Sequence, residues 1–121
     1  MENEILKEYI SVLEEKKLKN IEAFDLSGKS DVAKFIIIAT ANSEKVARQV
    51  ANEIKVFFEE KNKTSNLEGE FPGDWIILDF GDVLIEILTE ESRNHYNLEK
   101  LWGDSKNRLA QPSKKRKKKA S

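Results

Sequence analysis

Cysteine is absent from the 121-residue chain, which holds a single histidine, His95, and two prolines. Without cysteine there is no disulfide framework and no thiolate site, and one histidine does not make a zinc centre. Long apolar runs are missing too: no stretch approaches the roughly 18 residues that a membrane-spanning helix needs. The opening Met1-Glu2-Asn3-Glu4 is acidic, unlike the basic start of a secretory leader or an arginine-rich transit peptide. The five glycines, at 28, 69, 73, 81 and 103, are scattered, so no glycine-rich phosphate loop is present. These absences lead to the expectation of a cytoplasmic protein with no membrane, metal or cofactor.

Charge, by contrast, is plentiful at 36% of residues, against 39% apolar. Such a composition folds when its apolar residues are periodic, and the length suits one domain. The net charge of −1 conceals a split. Lys114, Lys115, Arg116, Lys117, Lys118 and Lys119 supply six of the 21 basic residues; the other 15 face 22 acidic ones, so the rest of the chain carries −7. An acidic body excludes a basic DNA-binding domain. The cluster follows Pro112-Ser113 and has no apolar residue before Ala120, so a single domain over 1–108 and a disordered basic tail over 109–121 are expected. The tail has two readings: a solubilising, solvated end, or a weak, salt-sensitive contact of Lys114 to Lys119 with nucleic-acid phosphate.

Periodicity assigns the elements. Ile5, Tyr9 and Leu13, with Leu6 and Ile10 beside them, make one helical stripe over 3–19. Residues 21–26 alternate weakly and stop at Ser27-Gly28, as a strand would. Phe35-Ile36-Ile37-Ile38-Ala39 is short, continuous and β-branched, which predicts a central strand buried on both faces. Ser43 is placed to cap a helix running to about Glu60, with Val46, Ala47, Val50, Ala51, Ile54, Phe57 and Phe58 at 3.6-residue spacing. A short strand at 67–69 precedes a turn at Pro72-Gly73. Thr89 then caps a first helical turn, and Asn97 a second short helix with Leu98, Leu101 and Trp102 on its apolar side, ended by Gly103. Arg93 and Tyr96, three apart, share a face. The order α-β-β-α-β-β-β-α predicts an α/β fold, a mixed sheet of about five strands with flanking helices.

The sharpest inference comes from residues 75–88. Two strands flank Gly81-Asp82, a two-residue loop whose glycine accepts positive φ. That loop sets 80 opposite 83, 78 opposite 85 and 76 opposite 87. One face is then Ile76, Leu78, Phe80, Val83, Ile85 and Ile87, all apolar and therefore core. The other is Trp75, Ile77, Asp79, Leu84, Glu86 and Leu88, large apolar groups mixed with two carboxylates. Either a helix covers this second face, with Asp79 and Glu86 at its rim, or the face stays open and binds another protein. Unpaired carboxylates in a deep core are costly, whereas tryptophan and leucine beside isolated charges suit an interface.

Catalytic patterns are thin. His95 lies in a charged segment and reads as an exposed polar residue, and no Ser/His/Asp ordering stands out. Asp79, Asp82 and Glu86 would have to converge on one strand face to hold two metals, but Asp82 falls in the turn. The expectation is a non-enzyme.

Several ordered stretches carry a family likeness: residues 13–17, Phe24-Asp25-Leu26, the strand from Phe35 to Ala39 followed by Thr40 and Ser43, Glu68-Gly69, residues 75–82, Arg93, and residues 96–102. From Leu13 to about Asn107 the chain resembles the ribosomal silencing factor, or iojap-like, family. The resemblance implies a nucleotidyltransferase-like fold without catalysis. It also implies binding to the large ribosomal subunit through ribosomal protein fourteen, steric exclusion of the small subunit, repression of translation when nutrients are short, a part in large-subunit maturation, and a homodimer when free. The chain departs from the family pattern in having Glu86 where a histidine is usual, Ala33-Lys34 where Asp-Tyr is usual, Ala41-Asn42 without the usual glycine, and Asn97 in place of aspartate.

The likeness and the hairpin register meet on the mixed face. Trp75 and Leu84 are the expected apolar anchors; Asp79, Glu86 and Glu99 are expected to meet basic groups of the ribosomal protein, with Tyr96, Leu98 and Trp102 flanking. Two other readings stand beside it: an RNA-binding ribosome-biogenesis module using the basic tail to contact ribosomal RNA, and a nucleotidyltransferase-like enzyme.

Overall fold

The computed structural model of the chain describes residues 2–26 and 33–96. The elements run α1 (Glu2–Glu15), β1 (Lys19–Asp25), β2 (Phe35–Ala41), α2 (Glu44–Glu59), β3 (Asn66–Glu68), β4 (Trp75–Asp79), β5 (Val83–Thr89) and α3 (Glu90–Tyr96). The five strands form one mixed sheet in the order β1-β2-β5-β4-β3. Only the β2–β5 pair is parallel; β1–β2, β4–β5 and β3–β4 are antiparallel. The expected α/β architecture is the one found. The expected tail, the 108/109 boundary and the second short helix from Asn97 lie outside the described residues.

Helices α1 and α2 cover one face of the sheet. Leu6, Tyr9, Val12 and Leu13 from α1 and Ala47, Val50, Ala51, Ile54 and Phe58 from α2 pack on Ile37, Ala39, Ile76, Leu78, Val83, Ile85 and Ile87. Tyr9, Phe58 and Phe80 form an aromatic cluster, with centroids 4.7 Å apart for Tyr9–Phe58 and 5.1 Å for Tyr9–Phe80. Burial pushes the Tyr9 hydroxyl up to about 12, with the charges of Glu8 and Asp82 adding to it. Each large apolar side chain sealed here contributes about 2 kcal/mol. β2 is buried along its whole length, as its β-branched run predicts.

Capping sets the element ends. The Ser43 hydroxyl accepts from the Val46 N–H at 3.1 Å, the N-cap of α2 that its position predicts. Helix α1 stops four residues short of the expected end. Lys17 takes a left-handed φ of 66°, and the Leu18 N–H bonds back to the Leu13 carbonyl while the Lys17 N–H bonds to Glu14. This is a Schellman closure with lysine where glycine is usual, and it sends Leu18 into the core.

The hairpin turns as its spacing predicts. The Phe80 N–H bonds to the Val83 carbonyl at 2.9 Å, and Gly81 takes a φ of 93°. The register pairs Ile76 with Ile87, Leu78 with Ile85 and Asp79 with Leu84. Farther along, the chain folds tightly where β3 leaves the sheet: Gly69 has a φ of 84°, and a Cβ there would lie 2.2 Å from the Trp75 carbonyl oxygen.

Candidate protein-docking face

The second face of the sheet is laid out by strand register. One row runs Glu22, Ile38, Glu86, Ile77 and Glu68 across β1, β2, β5, β4 and β3. The row beside it holds Phe24, Ile36, Leu84, Asp79 and Asn66. On the other side, Thr40, Leu88 and Trp75 align. Alternation along each strand forces this division from the residues that fill the core face.

The face is not open throughout, which corrects the reading that leaves all of it free. Phe24, Leu26, Ala33, Ile36, Ile38, Leu84 and Leu88 form a second buried cluster. Leu84 is 8% exposed and Glu86 only 3%. Both sit on β5, in the middle of the sheet, with Ile36 and Ile38 of β2 on one side and Ile77 and Asp79 of β4 on the other. The open part is at the β4 side. Trp75, Ile77 and Asp79 are half-buried, and Glu68 and Asn66 on the edge strand β3 are exposed. Among the described residues of this face, a half-buried apolar pair beside Asp79 and Glu68 is the more exposed part.

Two expected acidic contacts have partners within the chain. The Glu86 carboxylate accepts the indole N–H of Trp75 at 3.0 Å, across the diagonal between β5 and β4. Burial raises the Glu86 pKa, and the Trp75 hydrogen bond lowers it by a smaller amount. Asp79 Oδ1 accepts the Gly81 N–H at 2.8 Å and so braces the hairpin turn. Asp82 sits in that turn, exposed, and its main-chain carbonyl accepts from Lys34 and Phe35 at the start of β2. These carboxylates do not converge, and no group of three metal-ligating side chains occurs among the described residues. Leu98, Glu99, Trp102 and residues 114–119 lie outside the described residues, as does the side chain of Tyr96.

Sequence reasoning set Arg93 beside Tyr96 and in the family likeness but missed its buried role. Its guanidinium is buried, donates to Thr40 Oγ1 at 2.9 Å and to the Asn20 carbonyl, and lies 4.0 Å from the Glu22 carboxylate. Asn20, at φ 51°, stands where the register slips between Lys19 and Glu22, and that bulge carries the carbonyl Arg93 binds. Arg93 thereby ties α3 to the far edge of the sheet. Glu22 between Ile21 and Ala23 was the only trace of a buried charge, and strand alternation alone did not separate it from a solvent position. Thr89 does cap α3 as expected, its hydroxyl accepting the Ser92 N–H at 3.3 Å. His95 is exposed.

The family model described as "ribosomal silencing factor during starvation" matches residues 1–121. The chain belongs to the ribosomal silencing factor family. It is 35% identical over 103 residues to ribosomal silencing factor RsfS of Halalkalibacterium halodurans, covering 84% of this chain and 88% of that one. It is 36% identical over 102 residues to the RsfS of Bacillus subtilis, covering 84% and 86%. A crystal structure of a protein from Chromobacterium violaceum superposes with a TM-score of 0.79 at 30% identity, over 95% of both chains. The silencing-factor relatives are named for a regulatory role and not for a reaction. Within this silencing-factor fold, the half-buried strip on β4 lies in residues 75–82, one of the stretches that carry the family likeness.

Proposed function

We propose that this chain is a translation repressor that binds the large ribosomal subunit through ribosomal protein fourteen and keeps the small subunit from docking by occupying its place. Membership of the silencing-factor family carries this reading. The strip of Trp75 and Ile77 beside Asp79 and Glu68 supports it: an apolar centre with an acidic rim fits a basic ribosomal protein. A body charge of −7 favours the same partner. In this reading Trp75 and Asp79 touch the partner, while Leu84 and Glu86 support them from beneath. The protein works in the cytoplasm, as a homodimer when free, and performs no reaction.

A subunit-joining experiment tests the proposal. Saturating protein added to separated bacterial subunits is expected to lower the yield of joined ribosomes and to cosediment with large subunits alone. Trp75→Ala is expected to weaken large-subunit binding by about tenfold or more, the usual effect of truncating an aromatic anchor. An undiminished yield of joined ribosomes would overturn the proposal.

A further inference from the structure

Glu86 sits on the candidate docking face but is only 3% exposed, so it cannot itself reach a partner. Its neighbours across the strands are Ile38 on β2 and Ile77 on β4. A leucine there would extend the apolar stripe at no electrostatic cost, whereas a carboxyl buried among isoleucines costs stability. What the carboxyl does in that place is accept the Nε1–H of Trp75, at 3.0 Å. Trp75 is half-buried at the open side of the same face.

The chemistry of indole gives this bond a consequence. Tryptophan has one polar atom, a donor with no acceptor capacity. Without Glu86 that N–H loses this acceptor, and the ring loses the restraint the bond places on its two side-chain torsions. Held by Glu86, the nitrogen edge is turned toward β5, and what the ring offers outward is apolar. We propose that Glu86 is a positioning residue, whose buried carboxyl fixes the Trp75 indole in the orientation that a basic protein partner receives. The proposal rests on the docking reading above. Preorganising a rotamer-rich anchor removes part of the ordering cost of association, so the bond contributes to affinity without touching the partner.

The test uses the full chain and isolated bacterial large ribosomal subunits. Binding is measured for Glu86→Gln, Glu86→Met, Trp75→Ala and Trp75→Phe. The indole N–H resonance of Trp75, assigned by its loss in Trp75→Phe, reports ring position. Glu86→Gln keeps an acceptor oxygen and is expected to hold that resonance in place and bind within about twofold of the parent. Glu86→Met keeps the bulk and loses the acceptor; it is expected to shift and broaden the resonance and weaken binding about tenfold. In a Trp75→Ala background the same Glu86→Met change is expected to do nothing further. Equal weakening by Glu86→Met with and without Trp75 would overturn the positioning role while leaving the docking reading intact, as would unchanged binding. Unchanged binding in Trp75→Ala would overturn the docking reading and the role together. Should Glu86→Met fail to fold, Trp75→Phe carries the test from the donor side: it keeps an aromatic ring and lacks the N–H, and full affinity in it would overturn the proposal.

Discussion

Glu86 is a carboxyl that folding makes harder to ionise, and the sign of its effect on stability follows. Its pKa is raised in the folded chain above its ordinary 4.5, chiefly by burial. The folded state therefore holds the proton more tightly than the unfolded state. The stabilisation this confers is complete below the ordinary value and is lost as pH rises through the raised one. Glu86→Gln removes the titration, so its stability is expected to gain on that of the parent as pH climbs from the ordinary value through the raised one, and the difference to become constant above it. Urea unfolding of both proteins across that range measures it, and parallel curves would refute it. Much of this was legible in advance: the two-residue loop sets 77 opposite 86 and so puts 75 on the diagonal. The degree of burial was not legible, because alternation within a hairpin says which face a side chain takes and nothing about what packs over that face.

Elements were read best where periodicity and capping agreed. Ser43 and the stripe of α2 and the hairpin of β4 and β5 follow from local chemistry, because their neighbours in sequence are also their partners or their caps, and β2 declares itself by its continuous β-branched run although its partner β5 is distant. Helix α1 was read too long for the converse reason. Its end rests on Lys17 adopting a conformation usually reserved for glycine, and no residue-type signal marks it. The bulge at Asn20 and the reach of Arg93 to it were invisible for a similar reason, since they join the start of β1 to α3 over 73 positions. Lys17 offers a direct check. A side chain at φ 66° bears the steric penalty of left-handed backbone, which glycine does not. Lys17→Gly is expected to raise stability by roughly 0.5–1 kcal/mol, net of the extra entropy glycine loses on folding. A higher urea midpoint with an unchanged slope is the sign; a lower midpoint would show that the lysine side chain contributes more than its backbone costs.

At the scale of the whole molecule the question is how an acidic protein approaches a particle made largely of RNA. The body carries −7 and its proposed partner is one basic protein set among phosphates. Attraction to that protein and repulsion from the surrounding RNA are screened over the same Debye length, about 10 Å at 0.1 M salt, but the phosphates outnumber the basic groups of one protein. The six basic residues of 114–119 bring the net charge to −1 and so cancel most of that repulsion during approach, without having to make a fixed contact. Removing residues 109–121 is therefore expected to slow association with large subunits by several-fold, on the order of the steering effects seen for charged pairs, at low salt and hardly at all at high salt. Dissociation is expected to be unchanged. Stopped-flow association at two salt concentrations separates this from a tail that grips phosphate in the complex, because lost phosphate contacts would speed dissociation and flatten the salt dependence of the equilibrium itself. Equal association rates with and without the tail at low salt would leave its charge with no part in the encounter.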